Sequence, residues 1–150
     1  MEYRVLIVDD EPWSRQVVKS LVEWEKLNLV LSGEASEAAE GIQLIKSFEP
    51  QIVITDMRMP GISGQDFLRE LEQQYPDIKI IVLSGYDDFT YMRQAVRSGA
   101  ADYLLKPADP DELNKTLEKC IAELELRHRY GGLNVPVIFK DSAVLGQYIE

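Results

Sequence analysis

Cysteine, histidine and basic residues are scarce in this sequence. Its single cysteine, Cys120, cannot form an internal disulfide, which fits a reducing compartment. Lys and Arg number 16 against 26 Asp and Glu, and the net charge is −10. A chain this acidic is not expected to bind the phosphate backbone of nucleic acid directly.

Long apolar runs are absent as well. The first run has only four residues, Val5–Val8, before Asp9 follows, which is too short for the apolar core of a signal peptide. No other run approaches the roughly 20 residues of a membrane-spanning helix. We therefore expect a cytoplasmic protein with no membrane partner.

The apolar residues that are present suffice for a folded core. The chain has 150 residues, the size of one ordinary domain, and 45% of them are hydrophobic. A chain of this composition is not expected to be disordered.

Five short apolar segments alternate with amphipathic segments along the chain. The apolar segments predict buried strands, and the spacing of apolar residues between them predicts helices. This alternation indicates an α/β protein with a doubly wound, five-stranded parallel sheet and helices on both faces. The predicted strands are 5–8, 29–31, 52–55, 78–83 and 103–105, and the predicted helices cover about 12–24, 36–48, 63–75, 88–97 and 110–124.

Two of these helices have clear apolar faces. The first is predicted from residues at helical spacing, with Val18 and Val22 beside them, and the last has Cys120 beside its inner face. The residues that define the two faces are Trp13, Val17, Leu21 and Trp24 in the first helix and Leu113, Leu117, Ile121 and Leu124 in the last.

Polar residues follow four of the five predicted strands. They are Asp9 and Asp10, Asp56, Ser84 and Lys106, whereas the second strand contributes no comparable group. Taken singly, each has an ordinary explanation as a turn residue, a helix cap, a strand exit or a solvated lysine. Because the carboxyl ends of parallel strands share one edge of the sheet, where ligands bind, we expect the four to form one site.

The expected site combines three carboxylates with one ammonium group. Two like charges about 4 Å apart repel by ~4 kcal/mol at an effective dielectric near 20, so the three carboxylates need a cation. A ligand set made only of oxygen favours Mg²⁺, or alternatively Mn²⁺, over zinc. An aspartate can accept a phosphoryl group, whose charge the metal and Lys106 would neutralise while Ser84 donates a hydrogen bond.

Four motifs in this order resemble the receiver domain of bacterial two-component response regulators. The similarity covers roughly residues 3–125, and it implies a flavodoxin-like receiver fold with strand order 2-1-3-4-5. The motifs are Val-Asp9-Asp10-Glu, Asp56-Met-Arg-Met-Pro60-Gly with Gly64 following, Leu-Ser84-Gly, and Asp102-Tyr103-Leu-Leu-Lys106-Pro107.

The resemblance implies a role for each site residue. Asp56 would accept phosphate from a phosphohistidine on a sensor histidine kinase, and Lys106 would pair with the phosphoryl group. Asp10 would bind Mg²⁺ directly and Asp9 mostly through water, with the backbone carbonyl of Arg58 as a further ligand. The bond between Lys106 and Pro107 is expected to be cis. Such a domain is not an enzyme beyond catalysing its own phosphorylation and slow dephosphorylation.

The resemblance also implies a switch. Ser84 would move toward the phosphate and Tyr103 would rotate inward, which would reshape the surface formed by the helix at 88–97, the last strand and the last helix. That surface would serve homodimer formation. From the pattern alone, Tyr103 is equally well an ordinary amphipathic strand residue with its hydroxyl at the surface.

Two further features concern the rest of the protein. The stretch Ser84-Gly-Tyr-Asp-Asp-Phe89 is similar to receivers joined to AraC-type helix-turn-helix output domains. We divide the chain into a receiver domain at 1–126 and a segment at 127–150, which is a linker or the start of an output domain. Arg127–Tyr130 could continue the last helix up to Gly131.

Three other functions fit parts of the pattern. A pseudo-receiver would keep the fold as a protein-binding module without phosphorylation, against which the complete set of Asp10, Asp56 and Lys106 argues. An aspartate-nucleophile phosphatase would need a second aspartate at the position of Arg58. A flavin carrier would need a phosphate-binding loop after the first strand, where Asp9 and Asp10 would repel the phosphate.

Overall fold

Five short strands form one parallel sheet in the computed structural model, which describes residues 2–58, 64–85 and 101–130. The order is β2-β1-β3-β4-β5, so the predicted order is confirmed, with β2 at an edge. All four pairings are parallel. The strands are β1 (Tyr3–Val8), β2 (Leu29–Ala35), β3 (Ile52–Asp56), β4 (Lys79–Ser84) and β5 (Ala101–Leu105).

Helices connect the strands. Within the described residues they are α1 (Pro12–Leu21), α2 (Trp24–Leu27), α3 (Ala38–Phe48), α4 (Gly64–Gln74) and α5 (Pro110–Tyr130). The helix predicted at 88–97 and the break predicted at Pro60-Gly61 lie outside the described residues, as does the tail after Tyr130. None of the helices in the described part could cross a membrane.

The chain divides into two compact units, Met1–Cys120 and Ile121–Glu150. The second unit is described only as far as Tyr130, and these residues are helical as part of α5. The helix therefore continues past residue 126, where the sequence places the end of the receiver domain, and that division stays a prediction.

The apolar core lies on both faces of the sheet, since nearly every residue of β1, β3 and β4 is buried. Every residue of β3 is buried, as expected of an interior parallel strand. On one face, alternate residues of β1, β3 and β4 pack against α3 and α4. The buried residues of this cluster are Leu6, Val8, Ala35, Ala38, Ile45, Val53, Met57, Phe67, Leu68, Leu71, Ile80 and Val82.

A buried asparagine ties α5 to the end of α1. The Asn114 amide donates to the Leu21 carbonyl at 2.9 Å and to the Pro110 carbonyl at 2.8 Å. Its side-chain oxygen accepts from the Glu23 backbone at 2.9 Å. Backbone groups left without partners where α1 ends are thereby satisfied by a residue 91 positions away.

The first helix differs from its prediction in two ways. It ends at Leu21 because Val22 is extended, and Trp24 begins the separate helix α2. Trp13, predicted on the apolar face, is 74% exposed, whereas Val18 and Val22 are buried. The buried stripe therefore lies beside the predicted one. A smaller shift occurs in α5, where Cys120 is buried and Ile121 is partly exposed.

The second strand is longer than predicted. It continues from Leu31 through Ser32 and Gly33 to Ala35. The register shifts between Val5 and Leu6 of β1, which makes a bulge in β2. Ser32 and Gly33 indicate a turn by their composition, but Gly33 pairs with Leu6 and the Ser32 hydroxyl donates to the Val5 carbonyl at 3.2 Å, so both stay in the strand.

Glu34, near the end of β2, joins this strand to α1. Its carboxylate lies 3.0 Å from the Arg15 guanidinium and 2.7 Å from the Lys19 ammonium. The hydrogen bond from Lys19 lowers the pKa of Glu34, and that from Arg15 adds to the effect against the opposing influence of burial. This pairing attaches an edge strand to α1 through charged side chains.

Gly64, the first residue of α4, has no room for a side chain. A Cβ at this position would lie 2.8 Å from the Met57 Cα and closer still to the Met57 carbonyl oxygen. We predict that Gly64→Ala lowers the free energy of unfolding in urea by about 1–3 kcal/mol, because the backbone after β3 must shift. Gly85→Ala is the control, since no atom of the described residues lies within 4 Å of a Cβ there. Equal losses in both variants would contradict this explanation.

The stabilisation from Glu34 depends on pH in a defined direction. Because the pKa is lower in the folded state than its ordinary value of 4.5, the stabilisation is present above 4.5 and is lost as the pH falls through the folded value. We predict that Glu34→Gln costs about 0.2–1 kcal/mol at pH 7 and that the difference from wild type vanishes in acid. Urea unfolding at several pH values measures this, with Glu118→Gln at an exposed position as control. A deficit that persists at low pH would contradict it.

Candidate functional site

The polar residues that follow the strands meet at one edge of the sheet. Asp9 comes directly after β1, Asp56 ends β3, and Lys106 comes directly after β5. The Lys106 ammonium lies 3.1 Å from Asp9 Oδ2 and 3.4 Å from Asp56 Oδ1. Residues 97 positions apart in the chain are thus in direct contact.

Three carboxylates form the acidic part of this site. One oxygen from each of Asp9, Asp10 and Asp56 lies within 4.8 Å of the others. Asp9 and Asp56 are buried, whereas Asp10 is exposed. Burial raises the pKa of Asp56 despite the nearby Lys106, and the charge of Asp9 raises it further. The fold therefore holds together negative charges that destabilise one another.

Lys106 brings a positive charge to these carboxylates. Burial lowers its pKa, but the charges of Asp56 and Asp9 outweigh that effect, so the pKa lies above its ordinary value. The lysine also donates to Ser14 Oγ at 3.3 Å. Its backbone amide donates to the Ser84 carbonyl at 2.7 Å, and the bond to Pro107 is cis, the geometry expected from the sequence.

Backbone hydrogen bonds hold the two buried carboxylates in place. The Glu11 amide donates to Asp9 Oδ1 at 3.0 Å, and the Met57 amide donates to Asp56 Oδ1 at 2.8 Å. Pro12 then begins α1, where a missing N–H costs nothing. Each carboxylate is therefore fixed by the turn that follows its own strand.

Ser84 and Tyr103 lie on neighbouring strands. Ser84 is fully buried at the end of β4, and its hydroxyl donates to the Gly85 carbonyl at 3.4 Å. Tyr103 pairs in register with Val82, two residues before the end of β5, and packs against the core while partly exposed. Ser84 thus stands at the edge that carries the carboxylates, and Tyr103 stands further back along the sheet.

The donor set fits a hard divalent cation. Carboxylate oxygens are the ligands that Mg²⁺ prefers, and this ion keeps positions open for water and phosphate oxygens. Asp9, Asp10 and Asp56 are the residues that would hold it, and their oxygens are close enough to share one ion. Arg58, whose carbonyl is the further ligand expected from the sequence, follows Asp56 by two residues.

Three residues near the site were missed from the sequence. Ser14 contacts Lys106, Arg15 donates to the Asp9 carbonyl at 2.6 Å, and Glu34 pairs with Arg15. The second strand was expected to contribute no group comparable to those after the other strands, and its Glu34 is connected to the site only through Arg15. One sequence signal could have indicated this network: Arg15 and Lys19 are four residues apart and therefore share one face of a helix.

Comparison with known proteins gives a consistent result. Residues 5–118 match the response regulator receiver domain family. The chain is 37% identical over 123 residues to the uncharacterized transcriptional regulatory protein YesN of Bacillus subtilis, covering 82% of this chain and 33% of YesN. It is 35% identical over 122 residues to the transcriptional regulatory protein HptR of Staphylococcus aureus, covering 81% of this chain and 48% of HptR. The chain thus spans a third to about half the length of these relatives.

Solved structures agree with this match. The REC domain of AraT from Geobacillus stearothermophilus superposes with a TM-score of 0.78 at 31% identity, covering 85% of this chain and 99% of that domain. A two component transcriptional regulator AraC from Clostridium phytofermentans gives 0.78 at 32% identity, covering 87% of this chain and 100% of that one. With the family match over residues 5–118 and the five-stranded sheet of order 2-1-3-4-5, these similarities show that the chain belongs to the response regulator receiver domain family.

Proposed function

We propose that this protein is a phosphorelay switch in which Asp56 accepts a phosphoryl group from a sensor histidine kinase. An Asp56 carboxylate oxygen attacks phosphorus, the phosphorus–nitrogen bond of the phosphohistidine breaks, and its electron pair stays on the imidazole. The observation that carries this proposal is the contact of Lys106 with both Asp56 and Asp9 at the edge of the sheet. The nucleophile is thereby held beside a cation that can pair with the incoming phosphoryl oxygens.

Each residue of the site has a part in the transfer. Asp9, Asp10 and Asp56, with the Arg58 carbonyl, would hold Mg²⁺ or Mn²⁺. When bound, the ion neutralises charge on the phosphoryl oxygens and on the carboxylates. Lys106 binds a further phosphoryl oxygen, and the Ser84 hydroxyl donates a hydrogen bond to another. Beyond its own phosphorylation and slow dephosphorylation, the domain catalyses nothing.

Phosphorylation would be transmitted through β5. Ser84 moves toward the phosphoryl group, and Tyr103, which packs partly exposed against the core, rotates inward. The surface that changes includes β5 and α5, which are joined by an ion pair of 2.9 Å between Lys119 and Asp102. Two copies of the chain would meet through this surface, together with the segment at 88–97.

The output of the switch is proposed to be transcriptional. Two relatives are transcriptional regulatory proteins, and similar structures include AraT and a regulator named AraC. The segment from residue 127 onward would lead to a DNA-binding domain of the AraC type, while residues 1–126 bind no nucleic acid themselves. The whole would act in the cytoplasm.

A pseudo-receiver that binds partners without phosphorylation is the second candidate. Its carboxylates would not need to converge around a lysine, because a binding surface does not depend on a cation site. The geometry around Asp56 therefore favours the phosphorylated switch. An aspartate-nucleophile phosphatase is disfavoured because Arg58 stands where its second aspartate would be.

Phosphorylation of Asp56 can be tested by mass. We predict that the chain incubated with acetyl phosphate and Mg²⁺ gains one phosphoryl group by intact mass spectrometry, and that Asp56→Asn gains none. Asp66→Asn, at an exposed carboxylate paired with Arg69, is the matched control and should gain the group like wild type. Absence of the gain in wild type, or its persistence in Asp56→Asn, would refute the phosphorylated switch and leave the pseudo-receiver.

Metal binding can be tested by stability. We predict that millimolar Mg²⁺ raises the Tm of wild type, because an ion that binds only the folded state stabilises it. Asp10→Asn should lose most of this increase, since it removes a carboxylate from the site. Glu11→Gln, the adjacent exposed acid, should keep it. An equal response of all three proteins would show that Mg²⁺ acts by general screening.

A further inference from the structure

Arg15 makes two contacts that link the edge of the sheet to the site. Its guanidinium donates to the Asp9 carbonyl at 2.6 Å and to Glu34 Oε1 at 3.0 Å. Its side chain is only 18% exposed. A planar guanidinium can hold two acceptors in fixed directions, which a lysine cannot do.

The contact with the Asp9 carbonyl matters because of the peptide to which that carbonyl belongs. Asp9 and Asp10 follow the end of β1, and the backbone bends at Asp10. One carboxylate oxygen from each lies within 4.8 Å of the other. The peptide that joins Asp9 to Asp10 is the one whose oxygen Arg15 holds, so this contact fixes the turn.

The bulge in β2 is what brings Glu34 to Arg15. Before the bulge Val5 pairs with Leu31, and after it Ile7 pairs with Glu34. Paired residues of parallel strands share a face, so Leu31 and Glu34 lie on the same face although they are three apart. In a regular strand an odd spacing would place them on opposite faces.

The opposite face confirms this geometry. A Cβ at Gly33 would contact Leu44 of α3 at 3.3 Å, and Ala35 belongs to the core cluster on that side. Glu34, between them, points away from α3 and toward α1. Bulges commonly redirect a side chain in this way beside functional sites.

We propose that Arg15 and Glu34 are positioning residues for the divalent cation: Glu34 holds Arg15 on the Asp9 carbonyl, and this contact sets the convergence of Asp9 and Asp10. The inference rests on the proposed function, because it concerns the same metal site. Neither residue touches the cation or the phosphoryl group, and both act through the peptide between the two ligands.

Lys19 offers a matched control for this role. It pairs with the other oxygen of Glu34 at 2.7 Å. Its charge and its distance from Glu34 therefore resemble those of Arg15, but it is Arg15 and not Lys19 that donates to the Asp9 carbonyl. Substituting Lys19 weakens the ion network while leaving the contact between Arg15 and the Asp9 carbonyl.

The test is the affinity for Mg²⁺ alone, measured by isothermal titration calorimetry. We expect Arg15→Ala to raise the Kd about tenfold, as loss of a group that orients a metal ligand commonly does. Arg15→Lys should raise it too, because one ammonium cannot hold both acceptors. Lys19→Ala should leave it unchanged, although it lowers Tm. Glu34→Gln should raise the Kd when it is the only substitution. It should not raise the Kd further when added to Arg15→Ala, because Glu34 acts through Arg15.

Phosphorylation by acetyl phosphate adds a second measurement. Saturating Mg²⁺ should restore the rate of Arg15→Ala to that of wild type, because the defect lies in metal affinity. Equal changes of Kd in Arg15→Ala and Lys19→Ala, or changes that follow Tm across the set, would overturn the inference. If Arg15→Ala does not fold, Glu34→Gln against Lys19→Ala decides it alone. Failure of wild type to bind Mg²⁺ would instead refute the proposed function.

Discussion

Repulsion among three carboxylates is the constraint on which the rest of the site depends. Asp9, Asp10 and Asp56 place oxygens within 4.8 Å of one another, two of them in buried residues. At this separation each pair of charges costs a few kcal/mol at an effective dielectric near 20, or about 4 kcal/mol at 4 Å. The pKa of Asp56 remains raised despite the nearby Lys106, chiefly because the carboxyl is buried and further because of the charge of Asp9. A divalent cation is the ligand that such a set of oxygens is suited to accept.

Burial of apolar residues in the parallel sheet offsets the repulsion among the carboxylates. Its apolar strands bury their residues on both faces, with Phe67, Leu68 and Leu71 of α4 among the fully buried side chains, each contributing about 1.5–3 kcal/mol relative to exposure. The carboxyl ends of β1 and β3 place Asp9 and Asp56 side by side, and the long side chain of Lys106 reaches both from the end of β5. The core thus supplies the stability that the charge cluster reduces.

The sequence predicted the elements that depend on local pattern. Apolar periodicity predicted the strands and the helices at 36–48 and 63–75. The positions of aspartate, serine and lysine predicted the polar residues at the strand ends. Prediction from the sequence failed where a contact with a residue far along the chain decides the burial of a side chain or the extent of a strand. Trp13 has the spacing of a buried residue but is exposed, because α1 turns its Val18 toward the sheet. Glu34 lies beyond the predicted end of the second strand but belongs to β2, because it pairs with Ile7 of β1.

The sequence by itself determined the class of fold and the four groups of the site, because the spacing of apolar residues and the residue types at the strand ends are local properties of the chain. Only the tertiary structure decided how those groups are held: the contact of Lys106 with two carboxylates, the buried amide of Asn114 between α1 and α5, and the bulge that turns Glu34 toward Arg15. Each of these is a contact between residues far apart in the chain. Its geometry is set by the packing of whole elements, which no local pattern encodes.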